Sequence, residues 1–142
     1  MTQNALAIPF FGMMMLTILV WLTMYVRRLT FILSQGIPAQ ELTTPEKLNH
    51  LLPEQVNASS NNLKNLFELP VLFYGVCLFQ FIQGEPTVVV LTSAYVFLIF
   101  RVLHSLIHCT LNLVLLRFAV YVVSSLALFA MVLAKFIEIA LP

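Results

Sequence analysis

Long apolar runs separated by short polar segments dominate the pattern of this chain. A bilayer with a hydrocarbon core of about 30 Å needs about 20 residues of helix to cross it, and four runs reach that length. They predict membrane-spanning helices over residues 5–33, 64–82, 87–110 and 115–141. We therefore expect a single domain, residues 1–142, that is all-α and folds as an integral membrane four-helix bundle.

The only polar segment of any length is residues 34–63, between the first two apolar runs. It contains three prolines, three glutamates and a run of asparagine and serine residues, which is typical of a loop outside the membrane. The sequence Thr44-Pro45-Glu46 is typical of a helix N-terminus, because threonine caps a first turn and proline fits its first position. We expect an extramembrane loop that contains one short helix.

Short segments join the remaining helices. Gln83–Pro86 contains a glycine and a proline and predicts a tight turn between the second and third helices. Residues 109–116 contain neither, and only Asn112 indicates a helix end there. The boundary between the third and fourth helices is therefore the least defined of the three.

Basic residues are distributed unevenly about the predicted helices, and such residues are retained on the cytoplasmic side of a membrane. Lys135 lies toward one face of the membrane. The basic residues in or beside the loops at the opposite face of the membrane are Arg27, Arg28, Lys47, Lys64 and Arg117. The sequence therefore predicts a multi-pass protein, expected in a bacterial inner membrane, with a cytoplasmic loop at residues 34–63 and both termini in the periplasm.

The composition supports a lipid environment. Hydrophobic residues make up 61% of the 142 residues and charged residues 9%, with a mean hydropathy of +0.97, whereas soluble domains are about 45–50% apolar. The formal net charge of +1 excludes nucleic-acid binding through a basic surface. Cys77 and Cys109 lack the paired spacing of zinc or redox sites, so we expect two buried thiols.

Three ionisable residues lie inside the predicted second and third helices: Glu68, Arg101 and His104. A charge at the centre of a membrane helix costs about 2.5–3.5 kcal/mol, so each of them needs a partner. Equal numbers of residues separate Glu68 and Arg101 from the turn at Gln83–Pro86. An antiparallel hairpin is therefore expected to place the two charges level and to pair them.

The same register pairs Asn65 with His104 and Asn61 with His108. Spacings of three and four residues put each set on one face of its helix. The sequence thus predicts three polar layers near the cytoplasmic end of the hairpin, where Arg117 adds a further positive charge.

Three interpretations of these layers lead to different functions. A structural ion pair between Glu68 and Arg101 would only fix the register of the hairpin. His104 and His108 opposite Glu68 suggest a metal site, but Arg101 on the same face would repel a cation, so we expect no metal. The excess of cationic donors over carboxylates favours an anionic ligand.

The order of these residues resembles that of the MAPEG family, the membrane-associated proteins in eicosanoid and glutathione metabolism. The resemblance rests on Asn65-Leu-Phe-Glu68-Leu-Pro70, Arg101-Val-Leu-His104 and Arg117. It covers nearly the whole chain and is greatest with the prokaryotic branch. It implies a homotrimer of four-helix bundles that binds glutathione between subunits near the cytoplasmic face and uses its thiolate on a lipophilic small molecule.

The resemblance also implies roles for individual residues. Asn65, Glu68, Arg101 and His104 match positions that contact glutathione, and Arg117 matches the arginine that stabilises its thiolate. Arginines are suited to the two carboxylates of glutathione, and Glu68 is suited to its amino group. A cation beside the sulfur lowers the pKa of a thiol from its usual value of about 8.5.

Two positions differ from the family pattern. Asn61 stands where glutathione-using members have an arginine, and His108 stands where they have a tyrosine. Lys64, directly before Asn65, is a candidate replacement for the missing charge. The expected function is a glutathione-dependent transferase or peroxidase of lipophilic electrophiles or hydroperoxides. The alternative is a non-catalytic membrane protein whose polar layers hold helices and subunits together or bind a lipid headgroup.

Overall fold

The computed structural model describes residues 4–141. It is 87% helical and no strand occurs among the described residues, so the predicted all-α class is confirmed. A short 3₁₀ helix covers Ala39–Leu42. The α-helices of the described range are α1 (Asn4–Gln35), α2 (Pro45–Leu51), α3 (Glu54–Leu66), α4 (Leu69–Gln83), α5 (Val88–Cys109) and α6 (Val114–Ala140).

Four helical segments of the described chain are long and apolar enough to cross a bilayer, namely α1, α3 together with α4, α5, and α6. Large apolar side chains are exposed along them, among them Ile82 and Leu115, each 85% exposed. Such exposure is expected where a helix faces acyl chains instead of water. The chain is therefore an integral, multi-pass membrane protein, as the sequence predicts.

The segment between α1 and α4 contains the short helix that the sequence predicts. Pro45 occupies the first turn of α2, and the Thr44 hydroxyl accepts a hydrogen bond from the Lys47 backbone N–H at 3.3 Å. This contact satisfies one of the N–H groups that a helix leaves unpaired at its N-terminus. The helix begins where its capping residues indicate.

Helix α3 begins at Glu54, inside the 34–63 segment that the sequence predicts as loop. Its buried face consists mainly of small or polar residues, namely Ala58, Ser59, Ser60 and Asn62, and packs mainly against α1. Small residues allow membrane helices to approach closely without forming an apolar stripe. The hydropathy pattern therefore resembles that of a loop although the segment is helical.

Helices α3 and α4 form one membrane-crossing segment with a break at Phe67 and Glu68. Pro70 lacks the N–H that would donate to the Leu66 carbonyl, and it occupies the first turn of α4, where an N–H has no partner within the helix. Glu68 has φ −93° and ψ −100°, which is outside the helical region. The residues on the two sides of the break therefore do not share one continuous helical face.

Aromatic contacts join the spans in the apolar core. The rings of Phe73 on α4 and Phe97 on α5 stack with 4.7 Å between their centroids. Phe10 on α1 packs edge-on against Tyr74 and Phe81 of α4. Helices α5 and α6 make the most extensive contact and form an antiparallel hairpin. The end of α5 and the start of α6 contribute to the site described below.

Both predicted connections between the later helices are formed. Gly84 has φ +108°, and the Gln80 side chain donates hydrogen bonds to the carbonyls of Gly84 and Glu85. Asn112 has φ +49°, and its backbone N–H donates to the Ile107 carbonyl at 2.8 Å. Asparagine adopts this left-handed conformation more readily than most residues, which explains a helix end where no glycine is present.

Candidate functional site

A cavity of about 500 Å³ opens where α3 meets α4, α5 ends and α6 begins. Its volume is within the roughly 300–1,000 Å³ typical of small-molecule sites. The residues that line it are Asn61, Lys64, Asn65, Glu68, His104, His108, Val114, Arg117, Phe118 and Tyr121. They include every site residue that the sequence predicts except Arg101.

Helical spacing explains how residues distant in the sequence converge on this cavity. On α3, Asn61 and Asn65 are one turn apart, and on α5 the same spacing relates His104 and His108. The first turns of α6 add Arg117 and, one turn later, Tyr121. The break after α3 leaves Glu68 at the edge of the group, so three helices and one junction contribute polar atoms.

His104 is fixed in one tautomer by the start of α6. Its Nδ1 lies 2.9 Å from the backbone carbonyl oxygen of Arg117, and because a carbonyl only accepts, Nδ1 carries the proton. The other nitrogen, Nε2, then has a lone pair, which accepts from the Asn65 side-chain amide at 3.4 Å. The structure thus brings Asn65 and His104 together, as the predicted register requires, and places Nε2 of His104, with Asn65 as its donor, at the cavity.

Two fixed acceptors hold the guanidinium of Arg117. Its Nη1 lies 2.8 Å from Nε2 of His108 and 2.7 Å from Oδ1 of Asn112. Both Nη1 protons are therefore engaged, and Nε2 of His108 must be the unprotonated ring nitrogen. Nε and Nη2 of Arg117 form no hydrogen bond with the described residues, so they are free to donate to a ligand.

Arg101 lies behind the cavity and is completely buried. Its guanidinium carbon is 4.6 Å from the centre of the Tyr121 ring and 5.2 Å from that of Phe97. Nη1 donates to the Asn65 carbonyl at 3.4 Å, near the C-terminus of α3, where the helix dipole favours a positive charge. Nε and Nη2 are buried without a partner among the described residues.

The predicted ion pair between Glu68 and Arg101 is not formed. Glu68 is exposed at the cavity edge and makes no salt bridge with a described basic side chain, whereas Arg101 is buried between aromatic rings. Glu68 itself lies in the break before Pro70, where its backbone is not helical, so its side chain does not follow the helical face that the prediction assumed. The carboxylate of Glu68 is consequently available to a ligand.

Asn61 and His108, the third predicted pair, line the same cavity without a hydrogen bond between them. Lys64 is exposed, and it lines a second, smaller cavity as well. The sequence prediction missed Tyr121 and Asn112 as parts of the site. Tyr121 follows Arg117 by four residues on a predicted helix, which is the signal that would have placed it on the same face.

A larger groove of about 990 Å³ lies between α1, the start of α3 and the α5–α6 connection. Among the described residues, Arg27 is the only Lys or Arg that lines it. This guanidinium already donates to the Cys109 carbonyl at 2.8 Å and to the Ser59 hydroxyl at 3.2 Å. The groove therefore lacks the converging free charges of the first cavity.

Cys77 is buried as expected, whereas Cys109 is half-buried at the groove wall.

The comparison with protein families gives one result. The model of the MAPEG family matches residues 6–137, which is nearly the whole chain. No curated protein and no solved structure matches the chain significantly.

Proposed function

Because the chain belongs to the MAPEG family, we propose that it is a membrane-bound enzyme that uses the thiol of glutathione. Its reaction would be transfer of the thiol to lipophilic electrophiles or reduction of lipophilic hydroperoxides. The observation that carries this proposal is the convergence of cationic, amide, imidazole and carboxylate groups on one cavity of about 500 Å³ next to lipid-facing helices. A ligand with carboxylates, an ammonium group and a thiol matches this set of groups.

Binding would use the charges that the protein leaves unpaired. The carboxylate of Glu68, which has no salt bridge to a described side chain, would receive the ammonium group of glutathione. Lys64 at the cavity edge would pair with a carboxylate, and the amides of Asn61 and Asn65 would donate to carbonyl oxygens. Arg101 would act indirectly, because its bond to the Asn65 carbonyl holds that asparagine in place.

Arg117 would stabilise the thiolate. Its position is fixed through Nη1 by His108 and Asn112, and Nε and Nη2 are free to donate to the sulfur. His104 would accept the thiol proton at Nε2, which requires the thiol to displace the long 3.4 Å contact from the Asn65 amide, because the other ring nitrogen is held by the Arg117 carbonyl. A preorganised cation and a nearby proton acceptor together favour ionisation of the thiol at neutral pH.

Two reactions are open to such a thiolate. With an electrophile, the sulfur forms a bond to carbon and the leaving group departs with the electron pair of the broken bond. With a hydroperoxide, the sulfur attacks oxygen, the O–O bond breaks and the alkoxide takes a proton. A second glutathione then converts the sulfenic acid into a disulfide and water.

We further propose a homotrimer in a bacterial inner membrane, with residues 34–63 on the cytoplasmic side and both termini in the periplasm. The distribution of basic residues supports this orientation. Alkaline phosphatase fused after the C-terminus should then be active, and a green fluorescent protein fused there should be dark. The reverse pattern would refute the orientation without affecting the proposed chemistry.

Thiolate formation in the purified protein tests the proposed function. Millimolar reduced glutathione should raise the melting temperature of the detergent-solubilised protein and give the ultraviolet absorbance of a bound thiolate. Arg117→Ala should lose the thiolate signal, whereas Lys47→Ala, which removes an exposed positive charge outside the cavity, should retain it. Absence of both signals in the unmodified protein would favour the alternative, a non-catalytic protein whose polar residues join helices or bind a headgroup.

A further inference from the structure

A second cavity, of about 300 Å³, lies on the other side of Lys64, between the end of α1, the 34–63 segment and α3. Its lining contains two basic side chains, hydroxyl groups, one amide and no carboxylate among the described residues. The residues are Arg28, Leu42, Thr43, Thr44, Pro45, Leu48, Asn49, Ser60 and Lys64. We refer to it as the Arg28 cavity.

Two like charges meet in this cavity although Arg28 and Lys64 are far apart in the sequence. Bringing two cations together costs free energy, and the cost grows as water is excluded. Nε of Arg28 is buried without a hydrogen-bond partner among the described residues. An unpaired buried donor in a positively charged, carboxylate-free cavity indicates that an anion completes the site.

The chemistry of the lining selects among anions. The guanidinium of Arg28 can donate two parallel hydrogen bonds to a phosphate, and the Lys64 ammonium adds a point charge. Thr43 and Ser60 supply hydroxyl groups, which also donate to phosphate oxygens. We propose that the Arg28 cavity binds the phosphate group of an anionic ligand.

The position of the cavity indicates where such a phosphate comes from. Arg28 lies near the cytoplasmic end of α1 in the predicted orientation, at the depth where phospholipid headgroups meet the protein. Anionic headgroups attract basic residues at this surface. A phospholipid phosphate and a free phosphate share the same recognition chemistry, and the experiment below separates them. The proposal does not depend on glutathione chemistry.

Thermal unfolding of the full-length protein in neutral detergent tests the site. One arm compares sodium phosphate with sodium chloride at equal ionic strength, and the other compares micelles containing phosphatidylglycerol with micelles containing phosphatidylcholine. We expect the melting temperature to rise with phosphatidylglycerol or with phosphate, and Arg28→Gln to lose at least half of that rise. Lys47→Gln removes the same charge from α2 at a residue that does not line the cavity and contacts it through a 3.4 Å hydrogen bond to the Thr43 hydroxyl, so this variant should keep most of the rise.

The outcomes separate the two sources. A rise with phosphatidylglycerol identifies a lipid headgroup, and a rise with phosphate alone identifies a soluble phosphate. If Arg28→Gln does not fold, two other variants replace it. Ser60→Ala removes one lining donor and no charge, and it should reduce the rise in melting temperature. Arg28→Lys should keep part of that rise. No rise in either arm, or an undiminished rise in all of these lining variants, would overturn the proposal. The Arg28 and Ser60 variants keep every residue of the first cavity, including the shared Lys64, so the thiolate measurement can be made on them independently.

Discussion

At the scale of single residues, one backbone acceptor and one side-chain donor decide what the two histidines of the site can do. The Arg117 carbonyl fixes the proton of His104 on Nδ1, and the Arg117 guanidinium fixes the proton of His108 on Nδ1 as well. The same residue therefore sets both tautomers. The remaining acceptor of His104 takes a long contact of 3.4 Å from the Asn65 amide, whereas that of His108 takes a contact of 2.8 Å from the Arg117 guanidinium.

Replacement of Arg117 by lysine should reduce turnover. A flexible ammonium cannot reproduce the two contacts to His108 and Asn112 and also present donors to a sulfur atom. A hydrogen bond to a charged group contributes about 1.5–3 kcal/mol, so the rate should fall by about one to two orders of magnitude. Steady-state kinetics with a halonitrobenzene or a lipophilic hydroperoxide measures this. Full activity in Arg117→Lys would mean that Arg117 only anchors α6 at the headgroups.

Replacement of His104 by glutamine should slow proton removal and leave glutathione binding nearly unchanged. Glutamine can keep a hydrogen bond to Asn65 or to the Arg117 carbonyl, but it cannot take up a proton. General-base catalysis typically contributes about 10²–10⁴-fold, so a loss of at least about 10²-fold in kcat is expected. His50→Gln is the matched control, because His50 is exposed on α2 and should show normal kinetics. A kcat within twofold of the unmodified protein would exclude His104 as the base.

At the scale of helices, the sequence predicted the spans and their turns because apolar length, proline and glycine act locally. The hairpin register was correct for Asn65 and His104, which form a hydrogen bond. The predicted Glu68–Arg101 ion pair was wrong, because Glu68 lies in the break itself, where its backbone is not helical and its side chain is exposed. The N-terminal part of α3 could not be predicted either, since its packing against α1 uses small and polar side chains that hydropathy does not register.

Asn112 links the end of α5 to the chemistry of the cavity, and two substitutions separate its backbone role from its side-chain role. Asn112→Gly keeps the φ of +49° but removes the acceptor of Arg117 and an exposed hydrogen bond to Glu54, so stability should fall little and turnover should fall. Asn112→Ala loses the acceptor and also strains the backbone, which should lower the free energy of unfolding by about 1 kcal/mol or more. Thermal unfolding and kinetics measured on both variants check this. Equal activity of Asn112→Gly and the unmodified protein would show that His108 alone positions Arg117.

At the scale of the whole molecule, one side of the candidate site is uncovered. Asn61, Lys64 and Glu68 are exposed along the surface of the second span, next to large apolar side chains that face lipid. Polar and charged groups directed at hydrocarbon are costly, so such groups face a water-filled cavity or another protein surface. A second copy of the chain that closes this side would complete the cavity and exclude lipid from it. This need for a cover supports the trimer that we propose.

The oligomer should therefore be a condition for ligand binding. Native mass spectrometry in a mild detergent should give a species of three times the 16.1 kDa of one chain. A harsher detergent can separate the copies, and circular dichroism then shows whether the helix content is retained. Under these conditions glutathione should no longer stabilise the protein, because the groups that bind its ammonium and carboxylates would be exposed to detergent and water. The same preparation returned to mild detergent serves as its own control and should recover both the trimer mass and the stabilisation by glutathione. A separated, fully helical monomer that binds glutathione as tightly as the assembled protein would show that the cavity is complete within one chain, and the exposed polar residues of the second span would then need another explanation.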